Sequence, residues 1–188
     1  MTATPIPRTL ALSLYGDLDV SVLDEMPPGR PPVQTRWVKE EKRGEVYAFL
    51  KEKLCEGRQG FIVYPLVEES EKMDLLAATQ MAETLHSAFP EFKVGLLHGR
   101  MKSDEKERSM RQFRERRLSL LVSTIVVEVG IDVHNATVKV IEHGERFGLS
   151  QLHQLRGRIG RGAHRSFCFV ISSPKTEEAE KRLLTFSK

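Results

Sequence analysis

The chain has little cysteine: Cys55 and Cys168 are the two in 188 residues. They form no C-x-x-C pair, so neither a stapled secreted fold nor a thiolate metal centre is expected, and a reducing, cytoplasmic setting is the default. Aromatics make up 7%, which leaves aliphatic side chains to build the core. Charge of one sign is barely in excess. The net value of +3 permits an anionic partner without demanding one, and any electrostatic footprint for nucleic acid must be local. The longest apolar stretch, "LSLLVSTIVVEVGIDV" (118–133), contains Glu128 and Asp132 and is too short to cross a bilayer. A soluble protein with no membrane partner is expected.

A phosphate loop of the form G-x-x-x-x-G-K-[ST] is also missing. "GLLHGRMKS" has glycines near a lysine, but Met101 stands where the second glycine belongs. Asp24 and Glu25 imitate the acidic end of a magnesium-binding strand, yet they run into Pro27 and Pro28. Alone, the chain is not expected to cradle a triphosphate with magnesium.

What is present is a steady alternation of strand and helix signals, 40% hydrophobic overall and long enough for one domain with a real core plus an appendage. "MTATPIPRTLAL" starts in mid-motif and reads as a piece of a longer protein. Residues 16–32 read as a short strand dissolving into a Pro/Gly linker, so a domain is expected to begin near Gln34. Strands are predicted at "TRWVK", "GFIVYPL", "KVGLLH", "LSLLVS", "TVKVIEH" and "FCFVIS". Helices are predicted over Glu41–Glu56, around Leu75–Leu85, after a cap at Ser103, over "SQLHQLRGR", and over "KTEEAEKRLLTF". Strands apolar throughout imply an α/β fold whose mostly parallel sheet has helices on both faces. Ligands of such sheets are expected at the carboxyl ends of the strands, which points to the loops after Leu66, His98 and Ser123 and around Gly157.

Two stretches carry chemistry. In "VSTIVVEVGIDV", Ser123 and Thr124 put hydroxyls at a strand end, where they can hold a backbone phosphate. Gly130 then allows close approach before Asp132, which can accept from a ribose hydroxyl. The plainer alternative is a strand-to-helix junction with a capping threonine. "QLRGRIGRG" packs Arg156, Arg158 and Arg161 into nine positions. Continued helix would set Gln154, Arg158 and Arg161 on one face at spacings of four and three. Its glycines weaken a helix and make sense if the backbone must come close to something. The arginine fork suits a γ-phosphate whose charge grows during transfer. The alternative is a solvated basic turn.

"TATPIPRT", "STIVVEVGID" and "QLRGRIGRG" resemble, in order, motifs III, V and VI of superfamily 2 helicases. With "YGDLDVSVLDEMPPGR", "GFIVYPLVEESE" and "ERFGLSQLHQLRGRIGRG" the chain resembles the second RecA-like motor domain of the RecG family of ATP-dependent DNA helicases. Transcription-repair coupling factors are a close sibling family that shares two of these elements. The resemblance implies a RecA-like three-layer sandwich over 34–173, preceded by a motif III remnant and linker (1–33) and followed by a terminal helix (174–188). It implies half of a motor that remodels stalled forks and Holliday junctions. Gln154, Arg158 and Arg161 would face the γ-phosphate, with Gly130 and Asp132 beside the nucleotide. Thr124 and Ser123, with His98, Gly99 and Arg100 of "HGRM", would lie along DNA, and Thr2, Ala3 and Thr4 would couple the two lobes. Implied partners are branched or forked DNA and an N-terminal RecA-like lobe of the same parent chain. ATP and Mg2+ would be bound mainly by that lobe. From a different class, the alternative is a non-catalytic module that merely holds nucleic acid.

Overall fold

The computed structural model describes residues 31–65, 80–81, 83–99, 101–124 and 133–187. Six strands form one sheet: β1 (Gln34–Val38), β2 (Gln59–Tyr64), β3 (Val94–Leu97), β4 (Leu120–Thr124), β5 (Ala136–Ile141) and β6 (Phe167–Ile171). Their order is β1-β6-β5-β2-β4-β3, and every pair is parallel. Among the described residues they are accompanied by the helices α1 (Arg43–Cys55), α2 (Ser103–Arg114), α3 (Leu149–Arg156) and α4 (Glu177–Ser187). Residues 83–88 are also helical.

The uniformly apolar strands follow from burial on both faces. On one face Ile62, Leu120, Val122, Val138 and Val140 pack under Val46, Leu50 and Leu54 of α1 and under Leu85. On the other, Ile141, Cys168 and Val170 meet Leu152 of α3 and Leu183 and Phe186 of α4. Further along that face, Leu97 and Leu121 meet Met110 and Phe113 of α2. The arrangement is the expected three-layer α/β sandwich, with a sheet that is parallel throughout.

One helix start differs from expectation. Lys102, not Ser103, is the N-cap of α2, and the Glu105 carboxylate accepts from the Lys102 backbone N–H at 3.0 Å. A carboxylate in the first turn can satisfy this end without the serine hydroxyl.

Candidate nucleotide and nucleic-acid site

Because the strands are parallel, the sheet has an amino edge and a carboxyl edge, and the candidate residues divide between them. Thr124 ends β4 at the carboxyl edge, paired in register with Tyr64 of β2. Thr124 is 5% exposed, and among the described residues its Oγ1 has no hydrogen-bond partner. A buried hydroxyl without a partner is expensive, so this atom is set to receive one. Ser123, also buried, precedes it. On the neighbouring strand His98 follows β3, and the Met101 N–H donates to the His98 carbonyl at 3.2 Å. The Lys106 ammonium reaches back from α2 to the Gly99 carbonyl at 2.6 Å, tying this turn to the helix.

Between these strand ends and α1 lies a buried polar cluster that the sequence reading did not single out. Glu142, whose side chain is 1% exposed, accepts from Arg43 at 3.0 Å and from the Tyr47 hydroxyl at 2.8 Å. The Tyr47 hydroxyl lies 3.3 Å from that of Tyr64. Burial, with the carboxylate beside them, pushes both phenols well above the ordinary tyrosine range. The cluster stays in its neutral-phenol, ion-paired form and fixes α1 to the carboxyl edge.

Gln154, Arg158 and Arg161 do not share a helix face. Helix α3 ends at Arg156 with Gly157 as its C-cap, and the chain then leaves helical geometry. Gly160 takes φ +71°, a left-handed conformation that suits glycine. A Cβ on Gly160 would lie 2.7 Å from Val33 Cγ2, and one on Gly162 would lie 2.7 Å from the His134 carbonyl oxygen. Both glycines therefore admit the protein's own chain, where the sequence had suggested an approaching ligand. Ile159, 1% exposed, plugs the turn into the core between the two arginines. Arg158 is half-buried and Arg161 exposed.

These neighbours also move the site. Val33, His134 and Ser166 lie just before β1, β5 and β6, so the arginine turn sits at the amino edge, where the sequence expectation had put it at the carboxyl edge. The reason is topological: α3 follows β5 and returns across the sheet, so whatever follows α3 reaches the start of β6. This edge is held by buried amides. Gln59 donates to the Phe113 and Leu118 carbonyls at 2.6 and 2.7 Å, and Asn135 donates to the Gly57 carbonyl at 3.0 Å.

Beneath the turn is a second group that the sequence reading missed. Lys139 is 3% exposed, donates to the Leu155 carbonyl at 2.7 Å, and lies 5.1 Å from the Phe61 ring centre. Desolvation, opposed in part by Cys168 and reinforced by Arg158 and Arg161, lowers its pKa to about 8. A lone lysine in the apolar alternation of "TVKVIE" was the available signal. Arg156, by contrast, is committed to packing, with its guanidinium 5.0 Å from the Phe186 ring centre and 2.9 Å from His153 Nδ1.

Thr2, Ala3, Thr4, Arg100, Gly130 and Asp132 lie outside the described residues. An open cleft of about 240 Å3 between α1 and the β1–β6 edge, lined by Val38, Phe49 and Phe167, includes none of the candidate residues.

Residues 42–163 match the family described as the helicase conserved C-terminal domain. Over 184 residues the chain is 54% identical to the ATP-dependent DNA helicase RecG of Synechocystis sp., covering 97% of this chain and 22% of the relative. Its identity to RecG of Thermotoga maritima is 55% over 188 residues, covering 100% of this chain and 24% of the relative. The chain thus spans about a quarter of the length of the curated relatives it matches. A solved structure of RecG bound to a three-way DNA junction is 52% identical and superimposes with a TM-score of 0.83, over 98% of this chain and 24% of that one.

Proposed function

Since the chain belongs to the helicase conserved C-terminal domain family, we propose that it is the second motor lobe of a RecG-type ATP-dependent DNA helicase. In this reading the parent protein remodels branched DNA. The observation that carries the reading is the anchored arginine turn: Ile159, plugged into the core between the two arginines, and Gly162, against the His134 carbonyl just after Arg161, fix the backbone that carries them. Two guanidinium groups launched from a rigid turn suit a phosphoryl group whose charge develops in the transition state.

The partner lobe would bind ATP and Mg2+ and present the γ-phosphate to this edge. Attack by water is then aided by positioning and by the arginines' charge. Gln154, exposed on the last turns of α3, would help orient the attacking water or the phosphate, and Gly130 and Asp132 would border the nucleotide. DNA would lie at the opposite edge, along Thr124, Ser123 and the His98–Gly99 turn with Arg100. The unpartnered Thr124 hydroxyl supports a phosphate there. Nucleotide and DNA would thus occupy opposite ends of one parallel sheet, so that lobe closure over ATP becomes movement of the DNA strand. Thr2, Ala3 and Thr4 would couple the lobes, and the cytoplasm is the compartment that fits two free cysteines.

The test is ATPase assay of the isolated chain and of the parent protein, each with and without forked DNA. The parent is expected to hydrolyse ATP in a DNA-stimulated manner and the isolated chain not above background. DNA-stimulated turnover by the isolated chain would contradict the two-lobe reading.

A further inference from the structure

We propose that the C-terminal half of α2 and the turn after it form a second phosphate-backbone contact, one that holds a duplex arm of the DNA. The proposal rests on the motor reading above and extends it to a surface outside the candidate site. Residues 108–117, the second half of α2 and the turn after it, contain five arginines (Arg108, Arg111, Arg114, Arg116 and Arg117) and a single acidic residue, Glu115, whereas the first turns of the helix carry Asp104, Glu105 and Glu107. This one stretch therefore carries a larger positive excess than the whole chain, whose net charge is +3. All five arginines are exposed. Among the described residues only Arg117 is ion-paired, to Glu115 at 3.0 Å on an open surface where such a pair is weak and easily exchanged.

The patch is rigidly aimed. Met110 and Phe113, 3% and 0% exposed, anchor the opposite side of α2 in the core. Arg116 sits at φ +59°, a left-handed position where glycine is the ordinary choice. There the Arg116 N–H donates to the Phe113 carbonyl and the Arg117 N–H to the Gln112 carbonyl. A strained backbone position occupied by arginine keeps one more charge on this face than the fold requires.

Placement argues for duplex DNA. Helix α2 starts beside the His98–Met101 turn, at the carboxyl edge, and ends at the arginines. Its 12 residues separate the two ends by about 18 Å, at about 1.5 Å per residue. Duplex DNA advances about 3.4 Å per base pair, so a phosphate at the His98–Gly99 turn and one at the arginines would lie about five base pairs apart, half a helical turn, and would belong to opposite strands facing the protein across a groove. A stiff duplex can engage both ends of α2 at once, and neutralised phosphates release counterions.

The experiment uses the parent protein and fluorescent forked DNA, titrated over a series of salt concentrations. In Arg108→Gln/Arg111→Gln/Arg114→Gln the slope of log affinity against log salt should fall by about 2–3, at roughly 0.9 for each phosphate left without its arginine. Affinity at low salt should drop at least tenfold, on the order of what three such phosphates imply. The matching triple lysine variant keeps the charges and should bind like wild type. Trimming the duplex arm of the fork should remove the difference between wild type and the glutamine variant. An unchanged slope and affinity in the glutamine variant would overturn the proposal, as expected if the face is merely solvated or meets an acidic protein. Equal weakening in the lysine variant would also overturn it, because the effect would then come through the fold. If wild-type parent binds no forked DNA at all, it is the underlying motor reading that fails.

Discussion

The Lys139 ammonium donates to the Leu155 carbonyl at 2.7 Å, joining the middle of β5 to the end of the helix that launches the arginine turn. Leu155 O also accepts from the Arg158 N–H at 3.3 Å, so one carbonyl receives both the buried lysine and the first residue of the turn.

That burial has a sign in pH. The lysine falls from its ordinary 10.5 to about 8 in the folded chain, so the unfolded chain holds its proton more firmly. Stability from this group is therefore lowest below pH 8 and rises between pH 8 and 10.5. The full span corresponds to about 3 kcal/mol, at about 1.4 kcal/mol per unit. Lys139→Met should be more stable than wild type at neutral pH, by about 1–3 kcal/mol, because an apolar chain replaces a desolvated charge. Urea denaturation at pH 7, 8 and 9 checks this: the gap should shrink as pH rises, and a gap independent of pH would contradict it.

The glycines of the turn should respond differently from one another. Gly162→Ala places a Cβ 2.7 Å from the His134 carbonyl oxygen, a backbone atom that cannot step aside cheaply. A loss of about 1–3 kcal/mol is expected. Gly160→Ala adds left-handed strain at φ +71°. Gly157, at φ −63° with its nearest neighbour 3.4 Å from an added Cβ, should accept alanine with no loss or a gain of about 0.5–1 kcal/mol. Thermal melts of the three variants should rank in that way.

At the carboxyl edge, Arg43→Ala strands the Glu142 carboxylate with the Tyr47 hydroxyl alone. The expected loss is about 3–5 kcal/mol, as for a buried ion pair missing one partner. Glu142→Gln removes the charge but keeps an acceptor for Tyr47, so a smaller loss of about 1–2 kcal/mol is expected. Denaturant midpoints with unchanged slopes would report both.

Thr124→Val separates stability from function. It deletes a buried hydroxyl that has no partner among the described residues and keeps the shape, so the isolated domain should gain about 1 kcal/mol. In the parent the same change should weaken DNA binding. A variant that is both less stable and equally tight on DNA would argue that Thr124 is an ordinary strand residue.

The fold was largely legible because strands buried on both faces leave continuous apolar runs, as "GFIVY" and "FCFVI" do. The arginine turn was legible as a motif and misread as a helix. Helical spacing of arginines is a local signal, whereas Gly160 and Gly162 answer to Val33 and His134, which are remote in sequence. The edge of the sheet on which the turn lies follows from the return path of α3, and no pattern within "QLRGRIGRG" contains it. Lys139 and the Arg43–Tyr47–Glu142 cluster stayed hidden for the same reason: their partners come from separate elements.

The central claim is that Arg158 and Arg161 act on the γ-phosphate, and steady-state ATPase of the parent on saturating forked DNA tests it most directly. Arg158→Ala and Arg161→Ala should each leave circular dichroism and DNA binding near wild type, and turnover should fall by on the order of a thousandfold or more. Arg161→Lys should not restore it, since a point charge lacks the planar fork. Arg156→Ala, whose guanidinium lies over Phe186, should lower stability and largely keep turnover. Near-normal turnover in folded Arg158→Ala and Arg161→Ala proteins would contradict the account and leave the turn a solvated one.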